Sequence, residues 1–270
     1  MSDTIVTPNP WQALRQFTAA RIALGHTGVS QPTSVQLDFQ LAHARARDAV
    51  HLALDTKALQ TDIEAMWPEI GPCVQLHSAA ADRNVYLQRP DLGRRLDDDS
   101  RAALAALRAA AAEARPYDVA FVAADGLSSL AVAQNAAPFL QVIRARLLQE
   151  QWLVAPPAIV LQGRVAVGDE VGELLGAKLV VVLVGERPGL SSPDSMGLYV
   201  TWAPRVGLTD ERRNCISNVR PAGQRYDEAA GRLHYLLAEA RRRELTGVDL
   251  KDETSGPVSP AGEEKRNFLL

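Results

Sequence analysis

At 270 residues, with 47% hydrophobic and 23% charged residues, the chain has the balance of a soluble globular protein of one or two domains, outside the high-charge regime of disordered chains. Its net charge of -3, from 29 basic and 32 acidic residues, comes without a basic stripe that would neutralise phosphates, which argues against nucleic acid as a partner. No window approaches the roughly 20 apolar residues a membrane span requires, and the first residues, MSDTIVTPNP, lack the charged start and apolar stretch of a signal peptide. Cys73 and Cys215 lie far apart without CxxC spacing, so a reducing, cytoplasmic location is expected and a cysteine-based zinc cluster is not.

Residues 11–24 read as a helix stopping at Gly25, and a longer amphipathic stretch over 33–54 makes the N-terminal third helical. Pro68, Gly71 and Pro72 break that pattern before residues 74–77, which alternate as a strand would. Residues 82–93 form an irregular, Arg-rich connection, and Asp97, Asp98, Asp99 and Ser100 cap an Ala/Leu-rich helix.

From Tyr117 the grammar changes. A β-rich run at 118–123 is followed by the turn Asp125-Gly126 and a helix over 129–149. Apolar runs at 158–162 and 178–184 enclose a short helix at 169–175. Runs apolar on both faces predict a buried, largely parallel sheet. Residues 196–202 and 214–218 read as further strands, 227–244 as a strongly patterned helix, and 251–270 as a frayed tail. The expected fold is therefore α/β and Rossmann-like, a largely parallel sheet flanked by helices. A mainly helical N-terminal domain and connecting segment occupies 1–96, the α/β domain 97–249 and a flexible tail 250–270.

In such a sheet, ligands bind at the carboxyl ends of the strands, which directs attention to the turns after Ala123 and Val184. DGLSS at 125–129 offers a glycine and two hydroxyls at a helix start; capping is the simpler reading and a polar ligand group the other. GERPGL at 185–190 sets Glu186 and Arg187 in a loop stiffened by Pro188, a fixed polar site or an ordinary solvated strand exit. NCISN at 214–218 is a small polar cluster with a lone thiol, Cys215, that lets a flat ligand approach the backbone; a free cysteine is more often a small buried hydrophobe. Arg83, Arg89, Arg94 and Arg95 beside Tyr86 and Asp91 form the densest basic cluster, suited to a subunit interface or a solvated face. His26, His43, His51, His77 and His234 show no metal-ligand spacing, so no metal site is assigned. GxGxxG, GxxxxGK[ST] and GxSxG are all missing, and no catalytic residue is assigned to this chain.

Taken together and in order, DRNVYL (82–87), RPDLGR (89–94), DGLS (125–128), GRV (163–165), VGERPGL (184–190) and CISN (215–218) resemble the small (light) chain of ethanolamine ammonia-lyase, over residues 9–249. The resemblance implies a lyase converting ethanolamine to acetaldehyde and ammonia by radical chemistry from adenosylcobalamin. Substrate and rearrangement would belong to a large subunit, and this chain, inactive alone, would form part of the corrin site in its α/β domain. Carried across, the cobalamin-binding positions are Val165 in GRV, Glu186 in GERPGL and Cys215 in CISN. The DxHxxG loop that gives cobalt a histidine in many corrin domains is absent, so the cofactor is expected base-on. The implied assembly is a hetero-oligomer, a trimer of two-large-two-small units. A bacterial microcompartment is the alternative location the resemblance raises; some members carry an N-terminal extension resembling a targeting helix for it, whereas the matching core here starts near Pro10. The rival reading is a stand-alone Rossmann-like small-molecule enzyme with Asp125, Ser128, Glu186 and Arg187 gathered in one deep pocket. An assembly protein without a ligand is the third.

Overall fold

The apolar runs become a sheet because their alternate residues are taken up by cores on opposite sides. The computed structural model describes residues 5–110 and 115–254, so the expected tail lies, from residue 255 on, outside the described residues. Among the described residues six strands form one sheet in the order β1-β3-β2-β4-β5-β6. These are β1 (Val74–His77), β2 (Tyr117–Ala124), β3 (Ala158–Leu161), β4 (Ala177–Gly185), β5 (Met196–Trp202) and β6 (Arg213–Val219). Along β2, Val119, Phe121 and Ala123 enter one core while Ala120, Val122 and Ala124 enter the other. In β4, Leu179, Val181 and Leu183 alternate likewise with Val180, Val182 and Val184. Each of the valines, leucines and the phenylalanine fully buried here contributes about 1.5–3 kcal/mol, which makes these two central strands the anchor of the fold.

Seven α-helices are present among the described residues. They are α1 (Thr33–His51), α2 (Thr56–Met66), α3 (Arg83–Gln88), α4 (Asp98–Ala110), α5 (Ser129–Gln149), α6 (Val167–Leu175) and α7 (Tyr226–Arg243). Leu59 and Ile63 of α2, Phe139 and Ile143 of α5, and Leu233 and Leu237 of α7 cover one sheet face. Leu104 of α4 with Val167, Val171 and Leu175 of α6 covers the other. Although β1 precedes residue 97, it pairs with β3, and α2 shares a core with α5.

The expected largely parallel, Rossmann-like sheet is corrected: the sheet is mixed. β1, β3, β2 and β4 run parallel, whereas β5 is antiparallel to β4 and β6 to β5. The cause lies in the connection. A parallel return needs a dozen or more residues, usually a helix, and residues 186–195 contain none, so β5 turns back beside β4. The strand order also differs from the 3-2-1-4-5-6 of the Rossmann fold.

The helix expected at 11–24 is likewise corrected to a 3-10 segment, Pro10–Gln16, with no buried residue. Without a face to bury, so short a helix is marginal, and its pattern does not propagate. Residues 82–93, read as irregular, contain α3, whose N-cap Asp82 accepts from the N–H groups of Asn84 at 2.8 Å and Val85 at 3.0 Å. No helix of the described residues is long and apolar enough to cross a membrane.

Candidate functional site

β2 and β4 end side by side, Ala124 opposite Val184, and the turn that follows β2 lies directly on the end of β4. Gly126 holds φ +59, and a Cβ there would stand 2.3 Å from the carbonyl oxygen of Gly185. A Cβ on Gly185 would stand 2.0 Å from that of Ser128. Only glycine permits this approach, which the Leu127 N–H secures by donating to the Gly185 carbonyl at 2.9 Å.

Asp125 and Ser128 build the frame around that contact. The two Asp125 carboxylate oxygens accept from the N–H groups of Gln162 and Gly163, each at 3.0 Å, and so hold the loop after β3. Burial pushes the Asp125 pKa up, opposed by the Gln162 N–H, the Arg83 guanidinium and the Gly163 N–H. Ser128 accepts from the Ala131 N–H at 3.2 Å, capping α5, and donates to the Pro193 carbonyl at 2.7 Å. Both side chains are buried. The stand-alone constellation is therefore not assembled: two of its four members are spent on backbone groups.

Over this frame lies an open crevice of about 250 Å³, whose walls include Tyr86, Gly126, Arg164, Val165, Glu186 and Tyr199. Val165, half-buried, packs against the second core. Glu186 is the first residue beyond β4. One of its carboxylate oxygens accepts from the Ser195 hydroxyl and from the Asn218 N–H at 3.2 Å, so the start of β5 and the end of β6 fix it. Arg187, also on the wall, is exposed.

Cys215 does not line the crevice itself. It sits exposed on β6, opposite Tyr199 of β5, with Sγ 3.3 Å from the Ser217 hydroxyl. Burial, then the neighbouring Cys215 thiol and Glu186, push the Tyr199 phenol up, so it stays a neutral hydroxyl. Cys73 is buried, and burial with Glu64 pushes its thiol up to about 12.

Three wall residues were not singled out as site residues from sequence: Tyr86, Arg164 and Tyr199. Tyr86 is 1% exposed, and the guanidinium carbons of Arg83 and Arg164 stand 4.5 and 4.4 Å from its ring centre. Two cations against one ring make a rigid cation–π stack. Tyr86 and Arg164 belong to the quoted runs DRNVYL and GRV, but nothing in their spacing says that they meet. The arginine cluster itself disperses. Arg83 turns inward, donating to the Val50 carbonyl at 2.6 Å and the Gly126 carbonyl at 2.8 Å. Arg89 pairs with Asp91 on the surface, and Arg95 reaches Glu170. Among the described residues no group of three or more His, Cys, Asp or Glu side chains is placed to hold a metal ion.

Comparison with known proteins matches residues 8–251 to the family described as ethanolamine ammonia-lyase light chain (EutC). The chain is 58% identical to the ethanolamine ammonia-lyase small subunit of Ralstonia nicotianae over 265 residues, 98% of this chain and 96% of that protein. The same-named proteins of Pseudomonas aeruginosa and Pseudomonas putida are 58% and 57% identical, each over 97% of this chain and over 94% and 96% of their own lengths. Similarity at this level over nearly the whole length places the chain in the ethanolamine ammonia-lyase light-chain family, a family of lyase subunits.

Proposed function

We propose that this chain is the small subunit of an adenosylcobalamin-dependent ethanolamine ammonia-lyase and supplies one side of the corrin site, at the interface with a catalytic large subunit. The observation that carries the reading is the crevice at the strand ends: open, walled by Val165 and Glu186, and without an assembled catalytic set. The residues present suit a flat macrocycle edged with amide groups. Gly126 and Gly185 offer bare backbone, Val165 an apolar contact, and Glu186 a half-buried carboxylate that accepts from amide or ribose donors. Cys215, exposed beside Tyr199, is a small polarizable contact at the margin. About 250 Å³ is below the 300–1,000 Å³ of a self-sufficient small-molecule pocket, which fits a half-site completed by a partner.

When bound, adenosylcobalamin supplies the radical that starts the conversion of ethanolamine to acetaldehyde and ammonia. This chain's own residues hold and orient the corrin and none serves as acid, base or radical carrier. No DxHxxG loop in this chain offers an imidazole, so none of its residues would replace the cofactor's own base.

A partner surface is supported independently. Most of the exposed large apolar side chains among the described residues, including Ile5, Trp11, Phe17, Val29, Leu37 and Leu52, precede α2. Arg21 of the same segment donates to the Leu190 carbonyl at 3.1 Å, which ties the segment to the loop after β4. Exposed apolar side chains concentrated in one segment suit a protein interface. The assembly follows the family pattern, a trimer of two-large-two-small units, in the cytoplasm or a microcompartment.

The test is co-expression with an ethanolamine ammonia-lyase large subunit, purification of the complex, and measurement of ammonia release with and without adenosylcobalamin, for wild type, Glu186→Ala and Glu186→Gln. Cofactor-dependent release that requires both chains and falls in both variants supports the reading. Ammonia release by the isolated chain, or no complex with a competent large subunit, overturns it.

A further inference from the structure

The charges around the crevice do not balance. Arg83, Arg164 and Arg187 stand against the carboxylates of Asp125 and Glu186. Arg83 has its nearest counter-ion in Asp125, at 3.9 Å, and donates through Nε to the Val50 carbonyl and through Nη1 to the Gly126 carbonyl and the Gln162 side chain, with Nη2 unpaired among the described residues. Arg164 is different. It lines the crevice, it forms no ion pair among the described residues, and its one side-chain hydrogen bond there runs from Nη2 to the Tyr86 carbonyl at 2.9 Å. Its Nε, hidden from solvent, donates to nothing among the described residues.

A guanidinium on the crevice wall with no carboxylate partner keeps donors and a charge for an acceptor that binds there. The Tyr86 ring, 4.4 Å from the guanidinium carbon, and the Tyr86 carbonyl brace the side chain. A guanidinium braced in this way is pre-organised for a planar pair of anionic oxygens, where an ammonium would act only as a point charge.

We propose that Arg164, braced on Tyr86, anchors the phosphodiester of the nucleotide loop of cobalamin. This deepens the corrin-binding reading above and rests on it. The corrin periphery is amide-edged and neutral, and the phosphodiester is the group of the cofactor whose charge matches an unpaired guanidinium.

The experiment measures equilibrium binding of cobalamin and of cobinamide, which lacks the phosphodiester and nucleotide, to the purified two-subunit complex by visible absorption. Arg164→Gln is expected to weaken cobalamin binding about ten- to hundredfold, at about 1.4 kcal/mol for each tenfold, and to leave cobinamide binding within about twofold. Retained cobinamide binding shows that the variant site is still folded. Equal weakening of both ligands, or unchanged cobalamin binding, overturns the anchor. Where cobinamide binds neither protein, Arg164→Lys decides: recovery of cobalamin affinity above Arg164→Gln supports a charge contact, and no recovery overturns it. A wild-type complex that binds no cobalamin sinks the underlying corrin reading instead, so the two failures are distinguishable.

Discussion

Gly126→Ala puts the contact between the two strand ends to a quantitative test. Two costs apply. A left-handed backbone, here φ +59, penalises an alanine by about 1–2 kcal/mol. The added methyl would also lie 2.3 Å from the Gly185 carbonyl oxygen and 2.9 Å from its nitrogen, backbone atoms of a central strand that cannot swing aside. Overpacking of this kind adds about 1–3 kcal/mol, offset by about 0.4–1 kcal/mol from the stiffer unfolded chain. The net expectation is a loss of about 1–4.6 kcal/mol, centred at about 3 kcal/mol. Gly176→Ala is the control. That residue ends α6 at φ +70, but its nearest neighbour is the Arg108 guanidinium, at 3.0 Å, the mobile end of a long side chain. The control therefore carries the backbone penalty alone, about 1 kcal/mol after the same offset. Urea unfolding followed by tryptophan fluorescence, with buried Trp67 and Trp152 as reporters, measures both. Equal losses in the two variants would refute the claim that the close approach of Gly126 to Gly185, rather than φ alone, demands glycine.

Two further expectations concern ionisation. Burial raises the carboxyl pKa of Glu170, but Arg101, the Leu96 N–H and Arg95 together outweigh it and hold the value below the ordinary 4.5. A folded-state value below the unfolded one gives stability that is full above about pH 4.5 and lost as pH falls through the folded value. Glu170→Gln should cost about 1–3 kcal/mol at pH 7, and the gap to wild type should shrink in urea unfolding at pH 3.5; a constant gap would refute the sign. Native-state labelling with a disulfide reagent should modify one thiol quickly, because Cys215 is exposed while Cys73 is buried with its pKa pushed up to about 12. Cys215→Ser should abolish the fast phase, and cobalamin bound to the two-subunit complex should slow it in wild type; fast labelling of Cys73 would contradict the burial.

What could be read from the chain was whatever is set by neighbours in sequence. The helix expected at 129–149 matches α5, and the strands at 74–77 and 196–202 match β1 and β5, because periodicity and flanking breakers define them locally. Strand direction is not such a property. Both β4 and β5 bury most of their residues whichever way they run, and the antiparallel turn follows from a helix-free connection whose length has to be weighed against alternative pairings. The failed helix at 11–24 shows the converse: a periodic stretch with no neighbour to bury against retains only a 3-10 segment.

The candidate site divides along the same line. Glu186 and Val165 stand in legible motifs, and each lines the crevice because its loop leaves the carboxyl end of a parallel strand. Tyr86 and Arg164 stand in separate motifs that nothing in the sequence pairs, since 78 residues and the whole of β2 and α5 separate them. Their meeting depends on Gly93, where a Cβ would stand 3.1 Å from both the Arg164 side chain and the Tyr86 ring. The glycine of RPDLGR thus leaves room for the stack between the arginine of GRV and the tyrosine of DRNVYL. Three runs that look independent in sequence have one physical purpose in the fold: to fix a guanidinium on an aromatic ring at the crevice wall.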